Sequence, residues 1–214
     1  FFAKDRKAFV PYITAGHPSV DETLTIMKLL VENGGDILEL GFPFSDPTAD
    51  GPVIQASSQQ ALEAGFRRSD YFDIIRRFRA DDNETPIVAF TYFNPVFHLE
   101  TEVFVAQLAA AGGDAMLVVD LPLEEQQELL PVLQEHGLYL IQLIAPTTPD
   151  ERAAEILKTA GGFVYQIALK GVTGERTSLA DDALVNVART KALTELPVCM
   201  GFGVIGSGAG SGFP

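Results

Sequence analysis

Short apolar runs alternate with amphipathic stretches along nearly the whole chain. Residues 9–14, 37–40, 87–92, 115–119, 139–144, 163–166 and 198–202 read as seven strands. Between them, apolar residues recur at helical spacing: Leu24, Met27 and Val31; Phe104, Leu108 and Ala111; Leu129, Leu130 and Leu133; Leu184, Val187 and Ala188. Four of the strands follow a glycine, in Asn33-Gly34-Gly35-Asp36, Ala111-Gly112-Gly113-Asp114, His136-Gly137 and Ala160-Gly161-Gly162. A glycine there supplies the left-handed residue that stops a helix, so the repeating unit is helix, stop, strand. Near-continuous apolar strands separated by helices imply a parallel sheet covered by helices. No linker or charge run divides residues 1–204, which read as one domain. Residues 205–214 are Gly-rich and read as a flexible tail, or as a joined remnant of the region around a further strand.

Two parallel architectures fit this order. An open dinucleotide-binding sheet places a Gly-rich fingerprint directly after its first strand, but Thr14-Ala15-Gly16-His17-Pro18 stands there. The chemistry-bearing residues fall after several different strands, as in barrels that build their sites from many βα loops. The expected fold is therefore α/β, a (β/α)8 TIM barrel, and it comes out one strand short. Such a barrel typically takes about 250 residues, whereas this sequence has 214. Strand eight and the last helices are expected to be missing, deleted or not observed at the C-terminus.

One stretch interrupts the pattern, Leu38-Glu39-Leu40-Gly41-Phe42-Pro43-Phe44-Ser45-Asp46-Pro47-Thr48-Ala49-Asp50-Gly51-Pro52. Glu39 breaks the second strand, and a carboxylate there is costly to bury unless it is paired or hydrogen-bonded. The prolines and glycines that follow make an ordered, shaped loop. Asp50 stands at its far end, where Pro52 can open a helix. A strand carboxylate and a loop carboxylate facing one pocket suit acid–base chemistry. The plainer reading makes Asp50 a turn former or helix cap, and Glu39 is the harder of the two to dismiss.

Composition narrows the classes. With 47% hydrophobic residues the chain can bury a sizeable core. No apolar run approaches the roughly 18 residues that span a bilayer, and no signal-type stretch opens the sequence. The single Cys199 excludes an internal disulfide framework, and scattered His17, His98 and His136 make no zinc pattern. A net charge of −14 argues against nucleic acid and anionic membranes as partners. A phosphate would have to be held by local donors, mainly backbone N–H groups. Lys170 to Thr177 frames a Thr between glycines, Gly171-Val172-Thr173-Gly174, and such a loop can close over an anion. Gly201-Phe202-Gly203 ends the seventh strand, where barrels often bind phosphate. Tyr12, Phe90, Tyr92, Leu117 and Val119 could line a flat apolar slot, although most strand aromatics are simply core.

These runs resemble the tryptophan synthase alpha subunit family over roughly residues 9–204. The resemblance rests on Leu38 to Pro52, on the Gly-Val-Thr-Gly lid, on Gly201-Phe202-Gly203, and on Asn94-Pro95 and Asp120-Leu121-Pro122 after strands three and four. It implies a lyase of tryptophan biosynthesis that splits indole-3-glycerol phosphate, by retro-aldol reaction, into indole and glyceraldehyde 3-phosphate. It assigns Glu39 as acid and base and Asp50 as acceptor of the indole N–H. Tyr12, Leu117, Tyr165 and Thr173 would bind substrate. Gly174, Phe202, Gly203, Gly206 and Ser207 would bind phosphate, the last two as a relic of the strand-eight turn. No metal and no cofactor is implied in this chain, since pyridoxal phosphate belongs to the beta partner of an alpha2beta2 assembly. The implied compartment is the cytoplasm, or a plastid in a eukaryote. Ala168-Leu169-Lys170 departs from the family's more Ser-rich lead into the lid. Three alternatives stay open: an impaired binding subunit that only activates its beta partner, another phosphate-binding barrel enzyme, and a stand-alone indole-producing lyase.

Overall fold

The computed structural model describes residues 7–168 and 176–201, without the side chains of 176–182. The chain forms two compact units, Phe1–Leu140 and Ile141–Pro214. In the first, β1 (Tyr12–Thr14), β2 (Leu38–Gly41), β3 (Ile87–Thr91), β4 (Ala115–Val118) and β5 (Tyr139–Leu140) pair in that order, all parallel. The connections carry α1 (Val20–Glu32), α2 (Pro52–Glu63), α3 (Arg68–Arg79), α4 (Phe93–His98), α5 (Thr101–Ala111), a 3-10 turn at Leu123–Glu128, and α6 (Leu130–Glu135).

Local chemistry explains these boundaries. Ser19 caps α1 by accepting the Glu22 N–H while its own hydroxyl donates to the Glu22 carboxylate. The expected stops are in place, with positive φ at Gly34, Gly112, Gly137 and Gly162. The first strand starts at Tyr12 and not at Phe9, because Pro11 has no N–H for a ladder. Helix α3 had no counterpart among the helical faces read from the sequence, yet it buries Tyr71, Phe72, Ile74, Ile75 and Phe78. The Tyr71 hydroxyl donates to the Leu40 carbonyl at 2.7 Å and so fixes the end of β2.

Period two then divides β2 between two environments. Leu38 and Leu40 pack with Met27, Tyr71 and Met116 in the core beneath the helices. Glu39 and Gly41 point to the other face. Register places Tyr12, Glu39, Val88 and Ala115 in one row there, and Thr14, Gly41, Phe90 and Leu117 in the next.

The strand expected at 139–144 is interrupted at Ile141, so it forms β5 in the first unit and β6 (Gln142–Ile144) in the second. In the second unit β6, β7 (Val164–Ile167) and β8 (Val198–Gly201) pair in parallel. Helices α7 (Asp150–Leu157) and α8 (Arg176–Lys191) lie between these strands in sequence. A small core joins Ile144, Ala153, Leu157 and Val164. Beside it, Thr190 donates to the Gln166 side-chain oxygen at 2.6 Å, and the Gln166 amide donates to the Ile144 carbonyl at 3.0 Å.

Candidate active site

Glu39 lies within the sheet and is only 3% exposed. Its Oε1 is buried with no hydrogen-bond partner among the described residues. Burial pushes its carboxyl up to about 8. At neutral pH the side chain is therefore mainly a neutral acid, which is how it tolerates the site.

Asp50 is fixed by the loop after β2. Its N–H donates to the Pro47 carbonyl at 3.0 Å, and its carbonyl accepts from the Gln55 side chain at 2.9 Å. It is not a helix cap, because Gly51 holds that position in α2 with no side-chain hydrogen bond. Its Oδ2 accepts from the Tyr92 hydroxyl at 3.0 Å, while Oδ1 is buried without a partner among the described residues. Burial raises this carboxyl above its ordinary value, and the Tyr92 hydrogen bond works the other way.

Tyr12 stands level with Glu39 in the register and feels the charge of both acids. Burial raises its phenol, a hydrogen bond with Thr14 opposes the rise, and the charges of Asp50 and Glu39 add to it. The ring packs edge-on against Phe90 at 5.1 Å, and its hydroxyl lies over Gly41, where a Cβ would overlap it. Leu117 is fully buried in the same row as Gly41 and Phe90. Tyr12, Phe90 and Leu117 thus share the sheet face that carries Glu39, and each of the two carboxylates has a buried oxygen unanswered by the described residues. Such a site can offer a proton and accept an N–H.

Tyr165 sits on β7 of the second unit, level with Cys199, and its hydroxyl lies over Gly201 as that of Tyr12 lies over Gly41. Thr173, Gly174, Phe202, Gly203, Gly206 and Ser207 fall outside the described residues, as does the 205–214 tail. The Asp120 carboxylate accepts the Phe93 N–H at 2.7 Å, tying the end of β4 to the start of α4. Tyr92, read from the sequence as an apolar wall, is instead a polar partner of Asp50. Nothing local signals this, since the two residues stand 42 positions apart. Among the described residues no His, Cys, Asp or Glu cluster could hold a metal ion, and no helix is long and apolar enough to cross a membrane.

Comparison with known proteins gives one answer. The family model described as "Tryptophan synthase alpha chain" matches residues 1–209. The tryptophan synthase alpha chain of Alkalilimnicola ehrlichii is 49% identical over 199 residues, covering 93% of this chain and 73% of the relative. That of Laribacter hongkongensis is 45% identical over 202 residues, covering 94% and 76%. Among solved structures, the alpha subunit from Legionella pneumophila superposes with a TM-score of 0.85 at 39% identity, over 95% of this chain and 75% of that one. The alpha chain from the a2b2 complex of Pyrococcus furiosus gives 0.86 at 41% identity, over 92% and 79%. The fold class is the (β/α)8 barrel that these structures share.

Proposed function

The chain belongs to the tryptophan synthase alpha chain family, and from that premise we propose that it cleaves indole-3-glycerol phosphate with Glu39 as the acid–base group and Asp50 as acceptor of the indole N–H. Members of the family cleave this substrate in tryptophan biosynthesis. The observation that carries the residue assignment is the pair of buried carboxylates whose charges both act on Tyr12, each with a buried oxygen unpartnered among the described residues.

The chemistry follows from that pair. The bond from indole C3 to the side chain can break only after C3 takes up a proton. Glu39, neutral at pH 7 because burial has raised its carboxyl to about 8, is in the form that donates one. Protonation places positive charge on the ring nitrogen, and an ionised Asp50 accepting its N–H stabilises that charge. The carboxylate left on Glu39 then removes the proton from the side-chain hydroxyl. The C–C electrons return to the ring as the carbonyl forms, giving indole and glyceraldehyde 3-phosphate. One proton enters and one leaves, so no cofactor is needed. The family works without one, and pyridoxal phosphate belongs to the beta subunit.

Tyr12 and Leu117 would flank the indole, and Tyr165 and Thr173 would orient the substrate. Gly174, Phe202, Gly203, Gly206 and Ser207 would meet the phosphate through backbone N–H groups, which suits a chain of net charge −14. Residues 1–204 would act as a single barrel domain, in line with the extent of the family match. The Pyrococcus furiosus relative works as a mutually activating a2b2 complex. We assign the same assembly to this chain, with the loop 43–49 and the ends of β3 and β4 facing the beta subunit. The cytoplasm is the fitting compartment.

Incubation with indole-3-glycerol phosphate should release indole and glyceraldehyde 3-phosphate in equal amounts. Asp50→Asn should lower kcat by roughly 10²-fold or more, the scale seen when a charge-stabilising group is removed. Unequal products, or an Asp50→Asn variant with wild-type kcat, would contradict this reading.

A further inference from the structure

Three of the four polar groups of Asp50 have a protein partner. Its N–H donates to Pro47, its carbonyl accepts from Gln55, and Oδ2 accepts from Tyr92; only Oδ1 is left over among the described residues. Given the reading of Asp50 as the acceptor of the indole N–H, on which this inference rests, we propose that Tyr92 is a positioning residue of the cleavage reaction. Its hydroxyl holds Oδ2 so that the ionised carboxylate presents Oδ1 to the ligand.

The donors fix the direction of these hydrogen bonds. The Ala49 N–H donates to Tyr92 Oη at 2.9 Å, which directs the single phenol proton to Asp50 Oδ2 at 3.0 Å. Ala49 immediately precedes Asp50, so the loop that carries the acid also orients the group that holds it. The ring has little freedom, being 3% exposed and packed on Phe44 at a centroid distance of 5.3 Å. Directly after it, the Phe93 N–H is anchored on Asp120. A phenylalanine would serve an apolar wall equally well, and the hydroxyl adds two hydrogen bonds to the loop. The titratable groups coupled to Asp50 are Tyr12 from β1 and Tyr92 after β3; Glu39 from β2 acts in turn on Tyr12, and Asp120 after β4 acts on Tyr92. Tyr92 is the one whose hydrogen bond favours the charged form of Asp50.

Tyr92→Phe keeps the ring and removes the hydroxyl. It should lower kcat by roughly ten- to a hundredfold, the value of a hydrogen bond to a charged group, with KM for indole-3-glycerol phosphate changing far less. The acid limb of its kcat–pH profile should move to higher pH, because the carboxylate loses the bond that favours ionisation. In an Asp50→Asn background the same substitution should cost nothing further. A fluorinated tyrosine at position 92, a stronger donor of the same shape, should move the acid limb to lower pH and serves where Tyr92→Phe fails to fold. Carbon-13 titration of the Asp50 carboxyl, assigned by its loss in Asp50→Asn, reads the contact without any turnover. It should show ionisation at higher pH in Tyr92→Phe. An unmoved Asp50 titration, or an undiminished cost of Tyr92→Phe in Asp50→Asn, would overturn the positioning role. Failure of the wild-type protein to cleave the substrate would instead strike the proposed function, and the carboxyl titration would still decide whether Tyr92 holds Asp50.

Discussion

Glu39 occupies a place where a carboxyl destabilises the fold, and that cost is measurable. Burial lifts its carboxyl from 4.5 to about 8, so between those values the folded protein keeps a proton that the unfolded chain releases. Stability from this group therefore falls as pH rises from about 4.5 to 8, and the full penalty applies above that. A shift of that size corresponds to an upper bound of roughly 5 kcal/mol. Glu39→Gln should gain on the wild type in urea unfolding as pH goes from 5 to 8.5, and a stability difference that ignores pH would count against the buried neutral acid. Sequence reasoning could find Glu39 because a charge breaks an otherwise apolar strand, and Asp50 because it ends a rigid loop. The partnership of Asp50 with Tyr92 was invisible to it. That bond joins residues 42 positions apart, and only the packing of the loop against β3 creates it.

At the scale of elements, two tyrosines lean over glycines on neighbouring strands, Tyr12 over Gly41 and Tyr165 over Gly201. Parallel pairing sets Tyr12 level with Glu39, two residues before Gly41, and sets Tyr165 level with Cys199, two before Gly201. The missing side chain is what admits each ring. Gly41→Ala should cost about 1–3 kcal/mol by overpacking, measured by thermal or urea unfolding. The loss should largely vanish in a Tyr12→Ala background, and an equal loss there would mean the strain lies elsewhere. The strand–helix alternation and the glycine stops were legible because each depends on a few adjacent residues. Three features were not. The late start of β1 depends on Pro11 and its place at the ladder's edge, the break at Ile141 on pairing, and the importance of α3 on Tyr71 reaching the Leu40 carbonyl. The last two are decided by contacts distant in sequence, and the first by where the ladder with β2 can begin.

For the whole molecule, the family fixes the fold class and the reaction, while the chain's own residues decide how the work is divided. If this chain assembles as its Pyrococcus furiosus relative does, titration with a cognate beta subunit should raise the rate of indole formation to a saturating limit. Absence of binding and of activation would favour a stand-alone lyase. The net negative charge makes nucleic acid an unsuitable competitor for that interface. The proposed mechanism depends on Glu39 carrying the proton in both directions. The most direct test is turnover of indole-3-glycerol phosphate by Glu39→Gln beside the wild type, with substrate binding measured on the same samples. The variant should bind substrate while kcat falls by roughly 10²–10⁴-fold; wild-type turnover by Glu39→Gln would remove Glu39 from the chemistry.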